Sequence, residues 1–239
     1  MTRVRSANAI PSSWGITEAL LSHPDLSLVP TGTKDVTIAG DLAFAAVGSR
    51  GVLIQDSYSI TLTIPRTFPE SGFPRVFETG GRIPREYHRL DDGSLCLGSS
   101  TRLRVLIRRD PTIGGFIRAA VIPYLYGRTY FERFQHMPFG ELAHGRPGVE
   151  HDLCDLFRMP SGSSVTAILE VAALRRRTAN KRPCPCGSGR RLGRCHHLAV
   201  NEMRALLGRS WFDAESFHLF GRHATRSRRR WFGRRSAEK

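Results

Sequence analysis

Between Asp35 and Thr79 the chain offers successive stretches with a two-residue apolar repeat and no room for a helix between them. Asp35 to Val47 alternates in this way, with Val36, Ile38, Leu42 and Phe44 predicted inward. Gly48-Ser49-Arg50-Gly51 reads as a turn. The next run is the clearest strand: Tyr58, Ile60, Leu62 and Ile64 share one face, and Ser57, Ser59, Thr61 and Thr63 share the other. Pro65, Pro69 and Pro74 punctuate, and Arg75 to Thr79 supplies a further short strand. Strands joined by short connections can pair only antiparallel, so this region predicts a meander.

Elsewhere the periodicity is helical. Gly15 to His23 predicts a short helix with Ile16, Leu20 and Leu21 on one side and Pro24 as its stop. Thr112 to Tyr126 carries Ile113, Phe116, Ile117, Ala120, Val121 and Leu125 near a 3.6-residue period, with Pro123 expected to kink or cap it. Cys154 lies at helical spacing with Leu153 and Phe157, as a packed core cysteine does. Ser163 or Ser164 is expected to cap a helix bearing Ile168, Leu169, Ala172 and Leu174. The fold class expected is therefore α+β: an antiparallel meander flanked by helices, followed by a small metal module and a basic tail. Pro160-Ser161-Gly162-Ser163 suggests a boundary. It divides the chain into a domain over 1–160, a helical linker over 161–180 and a C-terminal module over 181–239.

One thiol stands apart from this hydrophobic patterning. Cys96 follows Gly93-Ser94 and precedes Gly98-Ser99-Ser100, so it sits in turn chemistry, where reactive groups tend to be displayed. The alternative is a small buried hydrophobe, the usual state of a free cysteine. The surrounding residues carry a resemblance. The spacing His88-x7-Cys96, the run Gly-Ser-Leu-Cys-Leu and the upstream FPESGFPRVFETGGRIP resemble the core of ubiquitin-conjugating enzymes, over roughly residues 15 to 126. In that family a proline-rich turn ends the third strand, another strand follows, and a His-Pro-Asn loop leads to the active cysteine. Here His88-Arg89-Leu90 stands in that place, so the asparagine that supports the loop and the oxyanion is absent. The resemblance implies that Cys96 accepts an acyl group as a thioester and passes it to an amine. It gives His88 the bracing of the loop, and Asp91, Asp92 or Ser94 the part of the missing amide. It also implies the partners: an activating enzyme with a ubiquitin-like modifier or, as in bacterial anti-phage defence operons, the C-terminus of a nucleotidyltransferase.

The remaining cysteines point to a metal. An odd total of five does not describe a disulfide framework. Cys184-x-Cys186-x8-Cys195-His196 supplies three thiolates and an imidazole, a set suited to tetrahedral zinc, with His197 the rival for the fourth position. Gly187-Ser188-Gly189 permits a tight turn after the paired cysteines. The pattern resembles the zinc motif at the C-terminus of SecA (the SEC-C motif). All four positions are filled by protein, so a structural zinc is expected. Arg190, Arg191 and Arg194 are sensible neighbours for a site whose formal charge is about −1.

Charge is distributed unevenly. Of the formal +15, residues 175–239 hold 18 Lys/Arg against 4 Asp/Glu, whereas the preceding 174 residues hold 18 against 17. Such asymmetry marks a separate functional segment. The end, with Trp231 and Phe232 among arginines, suits nucleic acid or an acidic surface. Glu141 and His144 are candidates to tune a thiol, or simply residues of a polar loop. No apolar run of about 18 residues occurs and the N-terminus lacks an apolar signal core, so neither a membrane span nor secretion is expected, and the cytoplasm is the expected compartment. Two functions are carried forward: a conjugating-like transferase acting through Cys96, and an inactive conjugating-like adaptor whose zinc module and tail bind nucleic acid, ribosome or protein.

Overall fold

The computed structural model describes residues 10–49, 51–138 and 145–221. Glu141, His144 and the tail with Trp231 and Phe232 lie outside the described residues. The chain divides into two units: residues 1–98 with 106–144, and residues 99–105 with those from 145 on.

The first unit opens with helix α1 (Ile16–Ser22) and continues into strands β1 (Leu26–Val29), β2 (Val36–Val47), β3 (Leu53–Ile64) and β4 (Arg75–Glu78). They form one sheet in the order β1-β2-β3-β4, every neighbouring pair antiparallel. Twelve residues of β2 pair with twelve of β3, from Val36 opposite Ile64 to Val47 opposite Leu53. The expected inward faces are buried: Val36, Ile38, Leu42 and Phe44 on β2, Tyr58, Ile60, Leu62 and Ile64 on β3. β1 goes beyond the sequence reading. It pairs Leu26 with Gly40, whose φ of 138° and closeness to the Asp25 carbonyl leave no room for a Cβ (2.0 Å). On α1 the buried residues are Ile16 and Ala19, and Leu21 is 79% exposed. Seven residues are too short a helix for the periodicity to tell which side faces the core.

After the sheet comes helix α2 (Ser100–Arg109), its first turns in the second unit and its last in the first. The first unit then adds α3 (Ile113–Phe116), a π-turn over Ile117–Val121 and α4 (Ile122–Phe134), which packs on β2 and β3. Pro123 breaks nothing. It sits in the first turn of α4, and the Ile122 N–H reaches back to the Ile117 carbonyl, five residues away, so the wider turn accommodates the missing donor.

A polar network joins sheet and helix inside this unit. Arg82 forks onto Asp56 (2.7 and 2.8 Å) and also reaches Glu132 (2.6 Å), Thr129 donates to Asp56 (2.7 Å), and Tyr58 bonds Thr129 (2.9 Å). Burial alone would raise the Asp56 carboxyl, but hydrogen bonds from Arg82, Thr129 and the Ser57 amide hold it at about 2, below its ordinary 3.8. A carboxyl depressed in the folded state contributes stability that is complete above its unfolded value and drains away as pH falls through the folded one. The thermal midpoint is therefore expected to lose this contribution between about pH 4 and pH 2, and Arg82→Ala to flatten that segment of the pH profile.

The second unit is helical: α5 (Gly145–Leu156), α6 (Val165–Ala173), α7 (Arg176–Ala179), α8 (His197–Leu207) and α9 (Arg209–Phe220). Ser164 caps α6 by accepting from the Ala167 amide, as expected. The unit boundary differs from the one at Pro160. α6 is no linker but central, with Ile168, Leu169 and Ala172 fully buried beside Phe157, Val200 and Phe212. Cys154 is buried in the same cluster. Phe212 stacks edge-on against Phe157 (5.7 Å) and Trp211, Leu219 and Phe220 pack against the same core, whereas Phe217 is 52% exposed. No helix among the described residues is long and apolar enough to cross a membrane.

Candidate functional sites

In the second unit the sequence after α7 turns back on itself. Pro183 bridges Arg191, the Cys184 amide donates to the Arg190 carbonyl (2.8 Å) and the Leu192 amide to the Arg182 carbonyl (2.8 Å). Gly187 and Gly189 take φ of 76° and 71° at the tip, a conformation glycine adopts without strain. This small hairpin, with the short turn Leu192–Arg194 and the start of α8, brings Cys184, Cys186, Cys195 and His196 together. Their ligand atoms all lie within 4.8 Å of one another. The Cys186 and Cys195 sulfurs are 3.6 Å apart, and His196 Nδ1 is 3.2 Å from both Cys184 and Cys195.

These residues fit a metal ion on two grounds. Four tetrahedral ligands at zinc-like bond lengths place sulfurs about 3.8 Å apart, close to the separation found. The sulfurs also differ in environment: burial pushes the Cys184 thiol up to about 11, while Cys186, despite burial, is drawn down to about 6 by the Ser188 hydroxyl and amide. A divalent cation among the four donors lets all three sulfurs be thiolates. His196 takes the fourth place in this cluster, and His197 stands outside it, its Nδ1 buried without a hydrogen-bond partner. Cys184 and Leu192 belong to the hydrophobic core of the unit, with Cys186 and Cys195 packed against it, so the donor cluster and the core are one body.

In the first unit, β4 leads into the segment that carries Cys96. The Leu95 amide donates to the Val76 carbonyl of β4 (2.8 Å), and the Cys96 amide to the His88 carbonyl (2.7 Å). Arg89 bridges Leu95, and the Leu90 and Gly93 amides close the turn between them, donating to the Ser94 and Leu90 carbonyls. Cys96 is half-buried. His88 serves the loop through its backbone: at φ 40° its carbonyl accepts from both the Cys96 amide and the Tyr124 hydroxyl (3.2 Å). Tyr124 also donates to the Tyr87 carbonyl (3.0 Å). Of the three stand-ins for asparagine, Asp92 and Ser94 are engaged with each other (Oγ to Oδ1, 2.6 Å), and Asp92 also meets Arg75 (3.3 Å). Asp91 is exposed.

No family model, curated protein or solved structure matches the chain.

Two residues that the sequence does not single out hold the Cys96 segment in place. Glu78, at the end of β4, has a side chain 1% exposed and accepts from the Arg82 amide (3.0 Å), the Ile83 amide (3.1 Å) and the Arg89 guanidinium (2.9 Å). Arg89 also donates to the Ile83 carbonyl (2.7 Å). Glu78→Ala is expected to cost about 3–5 kcal/mol, because it strands the Arg89 charge out of water. Glu78→Gln, which keeps the shape and part of the hydrogen bonding, is expected to cost less. Urea unfolding of the two variants checks the difference.

Proposed function

We propose that the first unit is a ubiquitin-conjugating-like acyl carrier working through Cys96, and that the second is held together by structural zinc at Cys184, Cys186, Cys195 and His196. The observation that carries the first half is the position of Cys96. Cys96 is a half-buried residue in the segment that returns to the edge of the four-strand antiparallel meander: the neighbouring Leu95 amide is tied to β4, and its own amide to His88. A backbone held in this way limits where the sulfur can be before a substrate arrives. The Cys96 thiolate adds to the carbonyl carbon of an acyl group carried as a thioester by an activating enzyme, whose own thiolate departs with the electron pair. A target amine then adds to the same carbon, the Cys96 sulfur leaves as thiolate, and the amine proton passes to water. His88 and Tyr124 position the loop and take no proton in this scheme. The carried group is a ubiquitin-like modifier or the C-terminus of a nucleotidyltransferase, as the family resemblance suggests.

The donor set favours zinc over harder cations, because three thiolates and an imidazole suit a soft tetrahedral ion. Zinc bound there supplies a rigid cross-link.

The adaptor reading draws support from Leu90, which is 52% exposed and has no polar group where the family places asparagine. One experiment decides. The protein is incubated with an activating enzyme of this class, its modifier and ATP, and the intact mass is measured before and after dithiothreitol. A thiol-labile adduct supports the transferase. Its absence across a panel of such enzymes supports the adaptor.

A further inference from the structure

Between Arg175 and Arg209 the second unit carries ten basic residues, nine of them arginine, against a single acid, Glu202. The fold gathers them instead of spreading them. The Asn180 carbonyl at the end of α7 accepts from the Gly193 amide (3.1 Å), which sets Arg176 and Arg177 beside the hairpin that bears Arg190, Arg191 and Arg194. Arg204, on α8, donates to the Ala172 carbonyl at the end of α6 (2.9 Å) and to the Val171 carbonyl. Burial first, and then the positive fields of Arg209 and Arg176, lower its affinity for a proton. Arg176, Arg177, Arg190, Arg191, Arg194 and Arg209 are exposed, and among the described residues no carboxylate pairs with any of them.

We propose that this arginine face around the metal hairpin binds the sugar-phosphate backbone of a nucleic acid strand. Uncompensated like charges work against the compact state, and a polyanion relieves that repulsion. Guanidinium forks match phosphate oxygens two at a time, which a lysine ammonium does not. The surface is poorly suited to a protein partner, whose interface needs an apolar centre. Of the second unit's large apolar side chains, only Leu198 and Phe217 are exposed among the described residues. The binding is independent of Cys96 and of sequence in the bound strand.

The test uses the full chain and a fluorescein-labelled 20-nucleotide oligouridylate, with anisotropy read across a salt series. The unaltered protein is expected to bind with an affinity that falls steeply with salt. A variant with Arg176, Arg190, Arg191 and Arg194 all replaced by glutamine is expected to bind roughly 100-fold more weakly and with a shallower salt slope, by about 0.7 for each phosphate no longer neutralised. Unchanged metal content in that variant shows that the hairpin is still folded, and restoring the four positions as lysine is expected to return only part of the affinity. The proposal is overturned if the four-site variant binds like the parent, as it would if the tail beyond residue 221 did the work. It is equally overturned if polyglutamate or anionic vesicles of equal charge concentration compete as well as unlabelled oligouridylate.

Discussion

Cys184→Ser is expected to strip the metal from the protein and unfold the second unit. The serine hydroxyl does not ionise at neutral pH, so one of four ligands is lost. Cys184 is also 4% exposed within the cluster that holds Phe157, Ile168, Val200 and Phe212, so the vacant ligand position opens onto the hydrophobic core. Structural zinc contributes about 10–16 kcal/mol of apparent binding free energy at pH 7, comparable to or larger than the roughly 5–15 kcal/mol of net stability of an entire domain. A chelator acting on the unaltered protein is expected to have the same consequence. Two measurements check it: metal per chain by plasma mass spectrometry, falling from one to none, and helical circular dichroism, which falls with it because this unit is built of α5 to α9. Acidification is expected to release the metal as well, since protons compete for the sulfurs and the imidazole. Cys154→Ala provides the contrast. That thiol is buried with its hydrogen directed at the Ser163 carbonyl (4.0 Å) and lies outside the donor cluster, so the variant is expected to keep its metal and lose only about 1 kcal/mol.

The second large effect concerns Cys96, which is half-buried. In the charging reaction, Cys96→Ser is expected to abolish the thiol-labile adduct completely, because an alcohol is a far weaker nucleophile at neutral pH. Any species that still forms is an oxygen ester, which survives dithiothreitol and is cleaved by dilute base. Gel mobility with and without reductant separates the two. Cys154→Ser, at a buried thiol, is expected to charge normally. If Cys96→Ser still gave a thiol-labile adduct, the carrier role would belong to another cysteine and the present assignment would be wrong.

How much could be read from the residues alone depended on how local the relevant physics was. The inward faces of β2 and β3 were legible because one side of each strand is buried and a period of two marks that side. The gathering of Cys184, Cys186, Cys195 and His196 into one cluster that could hold a metal was legible because four donors fall within thirteen residues. β1 was not legible. It is a four-residue edge strand with only Leu26 buried, and it depends on Gly40 across the pair, which no local pattern reports. The division into units was hidden for a similar reason. Pro160-Ser161-Gly162-Ser163 has linker composition, yet the Ser164 amide donates to the Pro185 carbonyl, tying the stretch to the cysteine hairpin. At the Cys96 loop, sequence located the thiol and the histidine but not the means of support. Asp92 and Ser94, read as substitutes for an amide, bond to each other, while Glu78, Arg89 and Tyr124 carry the loop.

The Glu78 carboxylate has a consequence for how the protein acquires its shape. All three of its donors, the amides of Arg82 and Ile83 and the guanidinium of Arg89, come from the eleven residues that follow it. Closing so small a ring costs little chain entropy, and interactions of short sequence separation form rapidly. The corner leading to Cys96 can thus assemble soon after β3 and β4 meet, ahead of the longer-range docking of α4 on the sheet.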